Sequence, residues 1–245
     1  MTNDLTERQK IILKAIIDEY IATAEPVGSD TVEKKFNIGV SPATIRNEMA
    51  DLERHGWLNK SHTSAGRCPT PLALKYYVKN LMKEKEMSVT DEVKVKEQIY
   101  DAKDELEHFT KEATRALAAQ SRTIALTTLN TGDTYYAGTG NILDMPEFFD
   151  IDVTKTLLSL LDSDDYWEDL IGRAIDNDEP IHMLLGSDFG SKYLSTCGYV
   201  YTNFKIGQKI KGSIGVVGPM RLQYATVIPT IRYFGELMNG MGGGW

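Results

Sequence analysis

One local pattern constrains this chain more than any other: two short segments joined by NIGV, the second opening on Ser41-Pro42 and closing on Gly56. Serine is a good N-cap because its hydroxyl accepts an amide of the first turn that has no partner in the helix, and proline at the first helical position lacks the N–H that would go unbonded there. Gly56 suits a left-handed C-terminal cap. At about 100° per residue Ile45, Met49 and Leu52 share one stripe that must face a core, so a helix is expected over 42–55, after a shorter one ending at Phe36. Thr6, with Gln9 three residues on, reads as a capping box opening a first helix over 6–22, which AEPVG ends. Two short helices joined by such a turn form a helix-turn-helix.

The residues that follow complete a module. Trp57-Leu58, the polar run KSHTSAGR and CPTP fit two short strands around an exposed loop, a wing, with Gly66 allowing the reversal. Leu74, Tyr77, Val78, Leu81 and Met82 recur at threes and fours, which predicts a closing helix from Leu72 to about Glu86 and a first domain over 1–86. The buried stripe leaves Ser41, Ala43, Thr44, Arg46 and Asn47 at the start and outer side of the 42–55 helix, where a recognition helix meets base edges. Arg can bond guanine O6 and N7, Asn can bond adenine N6 and N7, and Ala or the Thr methyl can touch thymine. On the wing, Lys60, His62, Thr63, Ser64 and Arg67 are candidates for phosphate or minor-groove contacts. A solvated helix face or an ordinary polar hairpin carries similar residues, so either element alone leaves both readings open.

Charge has to be counted by segment. Over 245 residues, 27 Lys+Arg against 35 Asp+Glu give a net charge of −8, which by itself argues against a nucleic-acid binder. Residues 34–85, however, hold ten basic residues against the four acidic ones Glu48, Asp51, Glu53 and Glu84, and the acid is concentrated beyond residue 80. The length suggests one or two domains. The two cysteines, Cys68 and Cys197, exclude a disulfide framework and fit a reducing cytoplasm. No apolar run approaches the roughly 20 residues that span a bilayer, so no membrane partner is expected.

Enzyme signatures are missing. The four histidines and two cysteines show no metal-ligand spacing, and there is no G-x-S-x-G, Walker loop or G-x-G-x-x-G. No catalytic residue, metal or cofactor is expected. Gly212, Gly215 and Gly218 fall in a strand pattern and read as packing glycines.

Residues 87–120 are rich in alternating charge, and Val95, Ile99, Ala102, Leu106, Phe109, Ala113 and Ala116 step by fours and threes. This predicts a connecting helix whose stripe either packs on its own C-terminal domain or pairs with a second copy, with Ile99, Ala102, Leu106, Phe109 and Ala113 as the dimer seam. From 121 to 245, strand-like runs (RTIALTTLN, TYYAGTG, IHMLLG, STCGYVYTNF, KGSIGVVGP) mix with helices over LLSLLDSDDYWEDLIGRAI and 222–239. Because strands and helices do not alternate strictly, an α+β sandwich is expected. Tyr135, Tyr136, Phe148, Phe149, Tyr199, Tyr201 and Phe204 either form its core or line a small-molecule pocket, which would make the chain a ligand-sensing regulator.

LTERQKIILKAIIDEYIATAEPVGSDTV and VSPATIRNEMADLERHGWLNKSHTSAGRCPT closely resemble the HrcA family of heat-inducible transcription repressors, as do NILDMPEFFD and GSIGVVGPMRLQYATVIPTIRYFGELM. The resemblance implies a winged helix joined to a GAF-like domain. It also implies a homodimer on double-stranded DNA at an inverted-repeat operator, the CIRCE element, before chaperone operons, and the chaperonin GroEL as a partner. Members of the family carry a dimerisation domain inserted in the GAF-like part. Here RTIALTTLN runs almost directly into TYYAGTGNIL, which leaves no room for it.

Overall fold

The structure, a computed structural model, describes residues 5–60, 66–100, 102, 105–163, 165–167, 169 and 179–240. They fall into two compact units, Met1–Lys83 and Glu84–Trp245.

The first unit runs α1 (Glu7–Thr23), α2 (Ser29–Phe36), α3 (Pro42–Arg54), β1 (Leu58–Lys60), β2 (Arg67–Pro69) and α4 (Pro71–Asn80). Thr6 and Gln9 form the capping box of α1, and the Ser41 hydroxyl accepts the Thr44 amide at 3.2 Å. Asn37 (φ 42°) and Gly39 (φ 78°) take the left-handed region that turns α2 into α3. Ile12, Leu13, Ile16, Val32, Ile45, Met49, Leu52, Leu58 and Leu74 make the core. Helix α4 stops earlier than its apolar spacing suggests. Leu81 and Met82 both donate to the Tyr77 carbonyl, which closes the last turn, and the alternating charges Lys83 to Glu86 offer no stripe to bury.

The second unit is an antiparallel five-stranded sheet between helices. It contains α5 (Val89–Tyr100), α6 (Leu106–Ser121), β3 (Ile124–Leu129), β4 (Thr134–Ala137), α7 (Ile151–Leu161), β5 (His182–Leu185), β6 (Cys197–Ile206), β7 (Ile210–Pro219) and α8 (Tyr224–Gly240), with sheet order β4-β3-β7-β6-β5. Helices α6 and α8 cover one face. There Thr114 bonds Thr127 at 2.7 Å, and Gly235 lies so close that a Cβ would stand 2.5 Å from Thr202 Cγ2. The other face packs Tyr199, Tyr201, Ile124 and Leu126 against Leu157 and Leu161 of α7 and the buried Trp167. Strand register places Tyr201 opposite Gly215, where a Cβ would meet Val200 O at 2.2 Å and Tyr201 Cβ at 2.4 Å. The architecture is α+β, a winged helix-turn-helix followed by a sheet domain.

The segment expected as one connecting helix is two, α5 and α6. Val95, Ile99, Ala102, Phe109, Ala113 and Ala116 are all buried within the single chain. The four-and-three stepping records packing inside the unit, so the expected dimer seam at Ile99, Ala102, Phe109 and Ala113 is corrected: these side chains are not presented to a second copy, and Leu106 is half-buried. Between β3 and β4 the chain turns within Asn130–Asp133, with Leu129 N–H on Asp133 O at 2.9 Å. A tight hairpin therefore stands where the resemblance implies an inserted domain.

Candidate nucleic-acid interface

The buried stripe of α3 orients its outer face. Ile45, Met49 and Leu52 are at most 2% exposed, whereas Ala43, Arg46 and Asn47 are exposed and Thr44 is half-buried. The Ser41 hydroxyl is engaged as the helix cap, accepting the Thr44 amide and bonding the Thr44 hydroxyl at 3.0 Å. Both hydroxyls therefore order the start of α3. Arg46 and Asn47 have no ion pair or side-chain hydrogen bond among the described residues, and their polar ends are available to a ligand.

Each acidic residue of α3 is paired. Glu48 takes Arg8 at 2.6 Å, Asp51 takes Arg54 at 2.6 Å and Gln9 at 2.8 Å, and Glu53 takes Arg67 at 2.6 Å. These pairs fasten α1 and the wing to α3. Their electrostatic consequence is that α3 itself carries no unpaired carboxylate beside Arg46.

The wing is narrower in its role than its residue types suggest. β1 and β2 pair antiparallel from Leu58↔Pro69 to Lys60↔Arg67, and β2 also bridges Val27. Arg67 is only 16% exposed and held by Glu53, so it braces the root of the wing on α3. Gly66 is required by close approach: a Cβ there would stand 2.7 Å from the backbone C and O of Pro26. His62, Thr63 and Ser64 lie outside the described residues. The bracing pairs are not legible in the sequence, because ion pairs 14 and 40 residues apart have no periodic signature.

The two cysteines behave as packing residues. Burial pushes the Cys197 thiol up to about 12, and burial with the nearby Glu25 raises Cys68. Among the described residues no group of His, Cys, Asp or Glu could hold a metal ion, and no helix is long and apolar enough to cross a membrane. Phe148, Tyr199, Tyr201 and Phe204 are interior, whereas Phe149 is 70% exposed, so the aromatic set does not converge on one pocket.

A capped helix with an exposed outer face, a braced β-hairpin and a local excess of basic charge define a winged helix-turn-helix module, followed by an α+β domain. A family model described as "HrcA protein C terminal domain" matches residues 73–228, and the chain belongs to the HrcA family. A "Heat-inducible transcription repressor HrcA" of Desulforudis audaxviator is 30% identical, covering 94% of this chain and 95% of that protein. Its namesake in Desulforamulus reducens is 29% identical over 328 positions, covering 93% and 94%. Those 328 positions exceed the 245 residues here, so at least 83 of them have no counterpart in this chain, a shortened member of the family. The relatives' names describe a non-enzymatic class. A crystal structure at 2.2 Å of a protein titled hypothetical superposes with a TM-score of 0.74 at 18% identity, covering 98% of this chain and 99% of that one.

Proposed function

We propose that this chain is a cytoplasmic transcriptional repressor of heat-shock operons that binds double-stranded DNA as a homodimer at a CIRCE-type inverted repeat. The observation that carries the proposal is the face of α3, where Arg46 and Asn47 stand exposed with no ion pair or side-chain hydrogen bond among the described residues, while Glu48, Asp51 and Glu53 are each neutralised by a basic residue of the same unit. Arg46 and Asn47 read base edges, Ala43 and Thr44 contact methyl groups, and Ser41 sets the helix start against the backbone. Lys60, with His62, Thr63 and Ser64 of the wing, contacts phosphate or minor groove, and Arg67 positions the wing.

Without the inserted domain the dimer needs another surface. Leu143 (54% exposed), Phe149 (70%) and Ile151 (72%) are exposed apolar residues within nine positions of one another on the second unit, interleaved with the exposed Asp144, Asp150 and Asp152. We place the two-fold contact there. Like charges meeting at the rim repel, so added salt strengthens this contact while weakening phosphate contacts. GroEL, implied by the resemblance, is proposed as the partner that restores the active form.

A hydroxyl-radical footprint on an inverted-repeat duplex tests the reading. Protection of both halves, one helical turn or a multiple of it apart, supports it; protection of one half alone contradicts the dimer.

A further inference from the structure

A cleft of about 320 Å³ opens in the second unit between the end of α6, the end of β7 and the first turns of α8. That volume suits a small metabolite. Its wall carries Arg122, Gln120 and Gln223 beside Ser121, Thr226 and Thr230, over an apolar floor that includes Met145 and Leu222. No lining residue is acidic, although the chain beyond residue 80 is strongly so. The second arginine on the wall, Arg221, is neutralised by a two-pronged pair with Glu147 at 2.6 and 3.0 Å. Arg122 has no ion pair among the described residues, and it sits in the left-handed region (φ 54°) that an arginine rarely occupies.

The hydrogen-bond inventory narrows the ligand. Ser121, Thr226 and Thr230 donate their hydroxyl protons to the carbonyls of Leu117, Gln223 and Thr226, and Ser121 Oγ also bonds Thr123 Oγ1 at 3.2 Å, so each of the three oxygens has a lone pair rather than a proton left for a ligand. An anion with acceptors alone is poorly matched to three such oxygens. A molecule with one oxyanion for Arg122 and several hydroxyl donors for the Ser and Thr oxygens is matched, and the two glutamine amides serve either kind of group.

The helix that forms one wall also holds the chain entering the unit. Pro229 has no N–H for the Ala225 carbonyl four residues earlier, and that carbonyl instead accepts the Lys85 amide at 2.7 Å. One turn on, Arg232 grips Glu84 with bonds of 2.7 and 3.0 Å. Residues 84 and 85 directly follow the winged-helix unit, so α8 touches both the cleft and the connection.

The geometry points to an effector site for a small polyhydroxylated oxyanion, of the sugar-phosphate or sugar-acid class, whose occupancy is passed through α8 to residues 84–85. The regulatory half rests on the repressor reading; the binding half does not. Amide chemical shifts of the full chain are followed with millimolar glucose 6-phosphate, gluconate, glucose and inorganic phosphate, in the native protein and in Arg122→Asn, a residue that tolerates the left-handed backbone. Shifts at Arg122, Gln223, Thr226, Thr230 and Lys85 with glucose 6-phosphate or gluconate, weaker with glucose or phosphate and lost in the variant, are expected. No shift with either hydroxylated anion, an equal response to phosphate alone, or an unchanged response in Arg122→Asn overturns the site. In a parallel operator titration the active anion changes affinity by about five-fold or more. Binding without that change overturns the relay, and failure of any operator binding counts against the repressor reading instead.

Discussion

Arg46→Ala separates reading DNA from holding the fold. The side chain is exposed and makes no ion pair or hydrogen bond among the described residues, so its loss changes unfolding free energy by no more than about 0.5 kcal/mol. On the operator it forfeits a bidentate guanine contact of about 1–3 kcal/mol in each half-site. A two-fold particle loses about 2–6 kcal/mol, a drop of about 30-fold at the least. Arg67→Ala is the mirror image. Its guanidinium is 16% exposed and bonded to Glu53 at 2.6 Å, between the surface and buried cases, so about 1–2 kcal/mol of stability goes with it. In a unit this small that is a melting shift of about 5–15 °C. Anisotropy titrations on operator and scrambled duplexes, beside thermal melts, read both effects. The reasoning is refuted if Arg46→Ala weakens both duplexes equally or lowers the melting temperature as Arg67→Ala does.

Gly66→Ala drives a methyl group into the Pro26 backbone and is expected to cost about 1–3 kcal/mol, visible as a lower urea midpoint. Phe149→Asp should shift the chain to monomer in sedimentation at unchanged stability, whereas Phe109→Asp, at a site 1% exposed, should unfold the second unit; a folded Phe109→Asp protein would sink the packing argument. Burial lowers the His182 pKa, outweighing the nearby Glu179, so the unfolded state binds the proton more tightly. Its contribution to stability is therefore complete above the unfolded pKa of about 6.5 and is lost as pH falls below it. His182→Gln should flatten that acid limb, and an unchanged limb would contradict the assignment.

The first unit was legible because its signals are local. Ser41-Pro42, the Thr6 and Gln9 pair, and the stripe of Ile45, Met49 and Leu52 each fix an element from neighbouring residues, and each matches the structure. The strand runs of the second unit were legible for the same reason. What the spacing hid was direction. The stripe through Ile99 and Phe109 is the same whether it faces a second copy or its own sheet, and only the fold shows Thr114 against Thr127. Arg67 looked like a phosphate contact because its partner, Glu53, lies on another element. The α8 anchor was hidden for the same reason: no local pattern tells that Lys85, far away in sequence, takes the Ala225 carbonyl that Pro229 leaves without a helical donor.

Specific binding as a dimer is measured by titrating a labelled inverted-repeat duplex and its scrambled counterpart at two salt concentrations, with stoichiometry read from the plateau. A dimeric repressor binds the inverted repeat more tightly at both salts, with two chains per duplex, and Arg46→Ala loses that preference. Equal binding to both duplexes with a steep salt dependence would leave only the phosphate contribution and contradict specific binding.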